Sequence, residues 1–458
     1  MRRLFEDEAT DRRFHRGQWR MLGLTIVGYT LFYFMRKNFS FAMPGLEQDL
    51  GVTKSMLGNC LMAGGIVYGV SKFLNGFVGD RVNARKFLCF GMAMCVVVNA
   101  AFGFAPQIAA WISGRPCEGV DAATVALVLG GLYVLNQFFQ GTGFPPCAKL
   151  IAFWIPPKEL ATKMSVWNTS HSIGGGLVAK ICGVIMGLGV VGAANQGVGM
   201  WRWCFWAMAI AGFAGLAVLW AWLPGTPEEE GLPPVPGTGG AGEEAGATGE
   251  KGEAGGAGFA AVFASPAIWL LGLGNFAINA ARSLVADWGP TMLQEAKHVS
   301  PEESGTIVML FEFAGIAGML FAGWATDRLA GGRGPRVCVF MMAAAAASLL
   351  AFWFLPAGVA SCAAMCAFGF MLYGPQALTG VTATNLCGKR VAGTSIGFIS
   401  LFSYVGVSVA GKVCGNLAQS SGGWQLPVMV ITATAAVGAV LFLCLWRTRA
   451  SSYTEMEK

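Results

Sequence analysis

Eight ionisable side chains fall inside stretches of chain that are otherwise apolar: Arg36, Lys37, Lys72, His171, Lys180, Arg282, Glu312 and Lys412. An ionised group at the centre of a bilayer costs about 2.5–3.5 kcal/mol on insertion scales, so each such residue needs a reason. Glu312 reads as the only carboxylate well inside a run, and buried cations in excess of buried anions want an anion from outside. Arginine offers a planar fork suited to phosphate oxygens. A phosphate monoester carries about −1.5 to −2 charges near neutral pH, which two arginines match. Arg36 and Arg282 are the pair at matching positions, sixteen residues beyond Arg20 and Pro266, or about 24 Å along a helix; the alternative for them is structural pairing with Glu312 or with helix C-termini. Tyr29 and Tyr33, spaced i, i+4 on the same run as Arg36, can line its wall. His171 lies roughly 16 Å into its run and adds a titratable contact. Lys72, about two turns from Asp80, either lines the cavity or pairs with Glu312. Lys180 and Lys412 fall toward helix ends and can snorkel. Lys37 points about 100° away from Arg36, so the two do not face one ligand equally.

The elements that carry these residues follow from composition. The 458-residue chain is 55% apolar and 12% charged, a balance that points to lipid as solvent. Runs of about 20 apolar residues cross roughly 30 Å of hydrocarbon, and backbone groups in lipid must be satisfied internally, so the runs are helices. Twelve are expected, near 19–43, 56–79, 86–106, 122–150, 160–189, 201–223, 264–294, 303–327, 336–356, 358–384, 391–418 and 424–446. The fold class is therefore all-α, with twelve transmembrane helices. Lys and Arg concentrate in alternate gaps, which places both termini in the cytoplasm of a multi-pass membrane protein. The net charge of +6 is met by anionic lipid and needs no nucleic acid.

Residues 224–262 hold five prolines and then a Gly/Ala/Glu tract with seven glutamates and one lysine in all. The segment reads as a disordered cytoplasmic linker between an N-terminal half, 1–223, and a C-terminal half, 263–458. The halves echo one another. Gly76-Phe-Val-Gly-Asp80-Arg81 with Arg85 follows the second run, and Gly323-Trp-Ala-Thr-Asp327-Arg328 follows the eighth. Gly76 and Gly323 are expected to let neighbouring helices approach closely, with the aspartates pairing with arginines at the helix ends. The thirteen cysteines are scattered without a C-x-x-C and read as small core residues rather than metal ligands or disulfides. Without a phosphate-binding P-loop, a zinc-protease motif or a nucleophile elbow, the sequence reads as that of a non-enzyme without cofactor.

The doubled signature looks like the major facilitator superfamily, whose two halves pack around a central path and rock about it. Within it, the sequence resembles the organophosphate:phosphate antiporter family. The resemblance rests on Arg36-Lys-Asn-Phe-Ser-Phe-Ala-Met-Pro44, Tyr68-Gly-Val-Ser-Lys72-Phe, Gln140-Gly-Thr-Gly-Phe-Pro-Pro-Cys147 and Ser165-Val-Trp-Asn168 with His171. It continues through Asp287-Trp-Gly-Pro290, Phe311-Glu-Phe-Ala-Gly315, Tyr373-Gly-Pro375 and Ala392-Gly-Thr394. It implies exchange of an organic phosphate for inorganic phosphate across a bacterial inner membrane, by alternating access in a monomer. It also implies that Arg36 and Arg282 bind phosphate, with Tyr29, Tyr33, Lys72, Trp167 and His171 around the site. Asn279 stands where glycerol-3-phosphate transporters place a tyrosine, which leans toward a larger polyol such as glucose 6-phosphate. Lys412 matches a lysine of hexose-phosphate transporters, but its acidic neighbour there is Ser408 here; an unpaired Lys412 favours a second negative charge, as in phosphoglycerates. Family relatives that sense hexose phosphate give a receptor as the rival reading, and a proton-coupled symporter is a third.

Overall fold

The computed structural model describes residues 5, 7–191, 199–233, 235, 263–387 and 392–447. Its N-terminal half contains α1 (Glu8–Leu50), α2 (Lys54–Arg81), α3 (Ala84–Phe102), α4 (Ala105–Ser113), α5 (Ala122–Gln140), α6 (Phe144–Trp154), α7 (Pro157–Asn168), α8 (Ser170–Val191) and α9 (Trp201–Trp222). Its C-terminal half contains α10 (Pro266–Ala286), α11 (Gly289–Lys297), α12 (Pro301–Arg328), α13 (Gly334–Phe354), α14 (Val359–Cys387), α15 (Ala392–Ser421) and α16 (Gln425–Cys444). Twelve spans in two six-helix halves result, because α5 with α6 and α7 with α8 each make one broken span. Among the described residues, eleven spans are by length and composition apolar enough to cross a membrane; the other, α1, carries Arg36 and Lys37 inside it. The helices are ended by local chemistry. Asp7 caps α1 through the amides of Ala9 and Thr10, and left-handed Gly51 closes it. Ser300 and Glu303 form a capping box on α12.

The halves meet through exchanged pairs of equivalent spans, α2 against α15 and α8 against α12. Close approach is bought by glycine: a Cβ on Gly183 would lie 2.8 Å from the Pro301 carbonyl oxygen, and one on Gly305 2.4 Å from that of Ala179. Along α2 and α15 the contacts descend as a ladder from the side away from the termini. Lys54 N donates to Gln419 and Ser55 Oγ to Asn416; Gly58 meets Gly411, Gly65 meets Ser408, and Tyr68 meets Tyr404. Below that point Lys72 of α2 still reaches Tyr404 of α15; further toward the termini, no ion pair joins the halves among the described residues. Gly76 and Gly323 correspondingly have nothing within 4 Å of a built Cβ, so the expected close approach at those two glycines is not made in this conformation.

The linker begins as packed chain. Leu232 and Val235 are buried, Trp154 Nε1 donates to the Gly225 carbonyl, and Glu230 lies 3.6 Å from Arg20. Apolar side chains at 232 and 235 give this first stretch something to bury, which the Gly/Ala/Glu tract lacks. Residues 234 and 236–262 lie outside the described residues. The signature residues end the helices away from the centre. Arg81 lies 3.5 Å over the Phe77 ring and donates to its carbonyl; Arg85 donates to the Trp220 carbonyl. Asp327 and Arg328 are exposed, and the Asp80 side chain lies outside the described residues.

Candidate functional site

Between the halves lies a cavity of about 360 Å³, lined by both. Its N-terminal wall is cationic and aromatic. Arg36 extends over the ring of Tyr68, Cζ 3.8 Å from the centroid, and lies 5.4 Å from that of Tyr33. Lys72 Nζ sits 4.6 Å from the Phe144 ring and 5.7 Å from that of Tyr404. Such rings stabilise a cation without neutralising it. Among the described residues, neither Arg36 nor Lys72 has a carboxylate within ion-pair distance. Tyr29, Tyr33 and His171 complete this wall, with Tyr33 and His171 rings 5.8 Å apart.

The turn that carries Arg36 is held by amides. Asn136 Nδ2 donates to the Met35 carbonyl at 2.8 Å, and Asn99 Nδ2 approaches the same oxygen at 3.2 Å. Gln140 Nε2 donates to the Phe32 carbonyl at 3.0 Å, and Asn38 Nδ2 to Asn99 Oδ1 at 2.7 Å. All four amide side chains are buried, so α3 and α5 grip α1 one residue before its arginine. Amides inside apolar runs were the available sequence signal, since unpartnered ones are costly in lipid.

The C-terminal wall is polar but nearly charge-balanced. Arg282 reaches Glu312 at 3.2 Å and donates from Nε to the Tyr373 hydroxyl at 2.7 Å; that hydroxyl donates in turn to Glu312. Asp287, buried and on the cavity, holds Lys37 at 2.6 Å. Four cations against two carboxylates leave an excess of two positive charges around the cavity. Asn279 lines this wall, its amide donating to the Asn275 carbonyl at 2.9 Å.

The structure places several residues otherwise than expected. Glu312 is not the only buried carboxylate at the cavity's edge: Asp287, within the expected run 264–294 and one residue past α10, is buried as well. Lys37 lines the cavity, where its long side chain crosses to Asp287 while Arg36 turns to the tyrosine rings. Trp167 is fully buried behind Tyr29 and Phe144, at ring distances of 4.8 and 5.7 Å, and is off the cavity. Lys412 is also off the cavity; its backbone packs against Gly58 in the ladder between halves. Lys180 does not snorkel freely but pairs with Glu302 at 2.7 Å. Tyr68, Tyr404 and Gln376, not singled out from sequence, line the cavity.

The family model described as the Major Facilitator Superfamily matches residues 25–411. A glycerol-3-phosphate transporter of Bacillus subtilis is 31% identical, over 97% of this chain and 95% of its own. A probable hexose phosphate transport protein of Chlamydia pneumoniae is 31% identical, over 96% and 94%. The membrane sensor protein UhpC of Escherichia coli is 33% identical, over 92% and 90%.

Proposed function

The chain belongs to the Major Facilitator Superfamily and, within it, to the organophosphate:phosphate antiporter family, and from that premise we propose that it exchanges a sugar phosphate for inorganic phosphate. A multi-pass membrane transporter of this family is not an enzyme; what it moves is the question the cavity addresses. The reading rests on one observation above others: among the described residues, Arg36 and Lys72 face the cavity without a carboxylate at ion-pair distance, while Arg282 and Lys37 are already paired. An excess of two positive charges suits one phosphate dianion. Substrate phosphate binds Arg36 and Lys72, draws Arg282 from Glu312, and so links the two halves. Rocking of the halves then carries it across, and a second phosphate returns the carrier. With both termini in the cytoplasm of a bacterial inner membrane, the ladder from Lys54 to Tyr68 closes the outer side, and the described conformation faces inward.

The test is uptake of labelled glucose 6-phosphate into proteoliposomes with and without internal inorganic phosphate, in wild type and Arg36→Lys. Uptake that needs internal phosphate is expected. Arg36→Lys should lose roughly 10- to 100-fold in Vmax/KM, because a point charge replaces a bidentate fork. Near-normal uptake by that variant would remove the arginine clamp. Relatives named as sensors give the rival its outcome: a folded protein that binds glucose 6-phosphate but moves neither phosphate is a receptor.

A further inference from the structure

The cavity separates its chemistry by half, and the C-terminal wall has no charge to spare. Beyond the paired Arg282 and Asp287 it presents Asn275, Gln376, Thr379, Ser400 and Ser403. Asn275 is fixed by donating to the Ile399 carbonyl and to Ser403 Oγ, so the amide and hydroxyl dipoles of α10 and α15 are mutually oriented. Two acceptors on residues of the cavity are left over. Gln376 Oε1 is buried with no partner, and so is His171 Nε2. His171 Nδ1 meets the Asn168 carbonyl, which can only accept, so Nδ1 carries the proton and Nε2 of the neutral ring is an acceptor. A buried acceptor without a donor is costly. A phosphate dianion has no proton to donate; hydroxyl groups do.

We infer that the site admits one phosphate attached to an uncharged polyol and rejects a second anionic group, with Gln376 as a specificity residue that receives a substrate hydroxyl. The inference rests on the proposed phosphate-binding role of Arg36 and Lys72. A carboxylate or second phosphate on the organic part would face the C-terminal wall, where the cations are neutralised by Glu312 and Asp287. Lys412, the one residue that favoured a second negative charge, is not on the cavity.

The test is competition against labelled inorganic phosphate in phosphate-loaded proteoliposomes. The competitors are glucose 6-phosphate, 3-phosphoglycerate and fructose 1,6-bisphosphate. Ligand-induced thermal stabilisation of the purified protein by the same compounds is read alongside. Glucose 6-phosphate should compete at least about tenfold better than either doubly anionic compound, since a site built for hydroxyls leaves desolvated charge unpaired. Gln376→Ala should weaken glucose 6-phosphate by about tenfold and leave inorganic phosphate unchanged, the size of one lost buried hydrogen bond. Gln376→Lys should reverse the preference toward 3-phosphoglycerate, a gain that misfolding cannot mimic. Equal competition by 3-phosphoglycerate in wild type, or an equal effect of Gln376→Ala on both phosphates, overturns the inference. If phosphate does not exchange at all, the transport reading falls, and the order of thermal stabilisation still decides the selectivity.

Discussion

Lys37, the immediate neighbour of Arg36, crosses from the N-terminal half to hold Asp287 of the C-terminal half at 2.6 Å. Ser283 Oγ donates to the other carboxylate oxygen of Asp287, at 2.5 Å. One of two adjacent cations is thus committed to the opposite half while the other is left for a ligand. The pairing also joins the halves at the cavity itself, beside the lower end of the ladder that runs from Lys54 to Tyr68.

Asp287→Asn keeps the shape and removes the charge. Lys37 then becomes a third uncompensated cation beside Arg36 and Lys72. Phosphate should bind more tightly, with the apparent KM for inorganic phosphate lowered by about three- to tenfold. Tighter ground-state binding does not speed translocation, and the link between halves is lost, so Vmax should fall as well. Exchange kinetics in proteoliposomes separate the two effects. A KM that rises would mean that Lys37 needs Asp287 to be placed at all.

The turn bearing Arg36 gives a second prediction, on stability. Asn136→Ala removes the shorter of the two amide contacts to the Met35 carbonyl and leaves Asn99 with one fewer partner. The loss of a buried hydrogen bond costs about 1–3 kcal/mol. Thermal unfolding in detergent should show a lowered midpoint, and Asn136→Gln should recover less than half of the loss, because its longer side chain cannot keep the same reach. An unchanged midpoint for Asn136→Ala would show that the helix holds its course without the amide grip.

The spans were legible because lipid leaves the backbone one solution, and an apolar run of sufficient length announces it. Even the narrow gap between the runs 336–356 and 358–384 was readable, and Gly358 takes a φ of 145° there. The arginines were legible because charge in a bilayer is costly wherever the side chain points. What the sequence could not give was partnership. Glu312 was visible, but its bond to Arg282 depends on α10 and α12 meeting at that depth. Asp287 lies one residue past α10, and its role is set by a lysine 250 residues away. Trp167 and Lys412 show the converse: each lies on a span that contributes to the cavity, but helix rotation turns one into the core and the other to the ladder between halves. Rotation about a helix axis is decided by packing, and an apolar run with little amphipathic contrast does not encode it.

The far end of the ladder carries a pH-sensitive contact. Lys54 bridges Glu47 at 2.6 Å in its own half and Glu295 at 2.8 Å in the other, and Trp424 Nε1 donates to Glu295 at 2.8 Å. Glu47 lies in the last turns of α1, past the membrane-crossing stretch 19–43, and its Oε1 is buried with no partner. Burial pushes its carboxyl up to about 7, opposed by the hydrogen bond and charge of Lys54 and assisted by Glu295. When this side opens, Glu47 regains water and its ordinary range near 4.5. The closed form therefore binds the proton more tightly, so closure is favoured as pH falls through about 7 and is disfavoured above it. Spin labels at Glu118→Cys and Ser421→Cys, exposed on the two halves at this end, would report the separation, with Cys117 and Cys444 replaced by serine. The long-distance population should shrink from pH 8 to pH 6 in wild type. Glu47→Gln, permanently uncharged, should show the short distance at both pH values. A wild-type distribution that ignores pH, or a Glu47→Gln variant that still responds to it, would place the proton elsewhere.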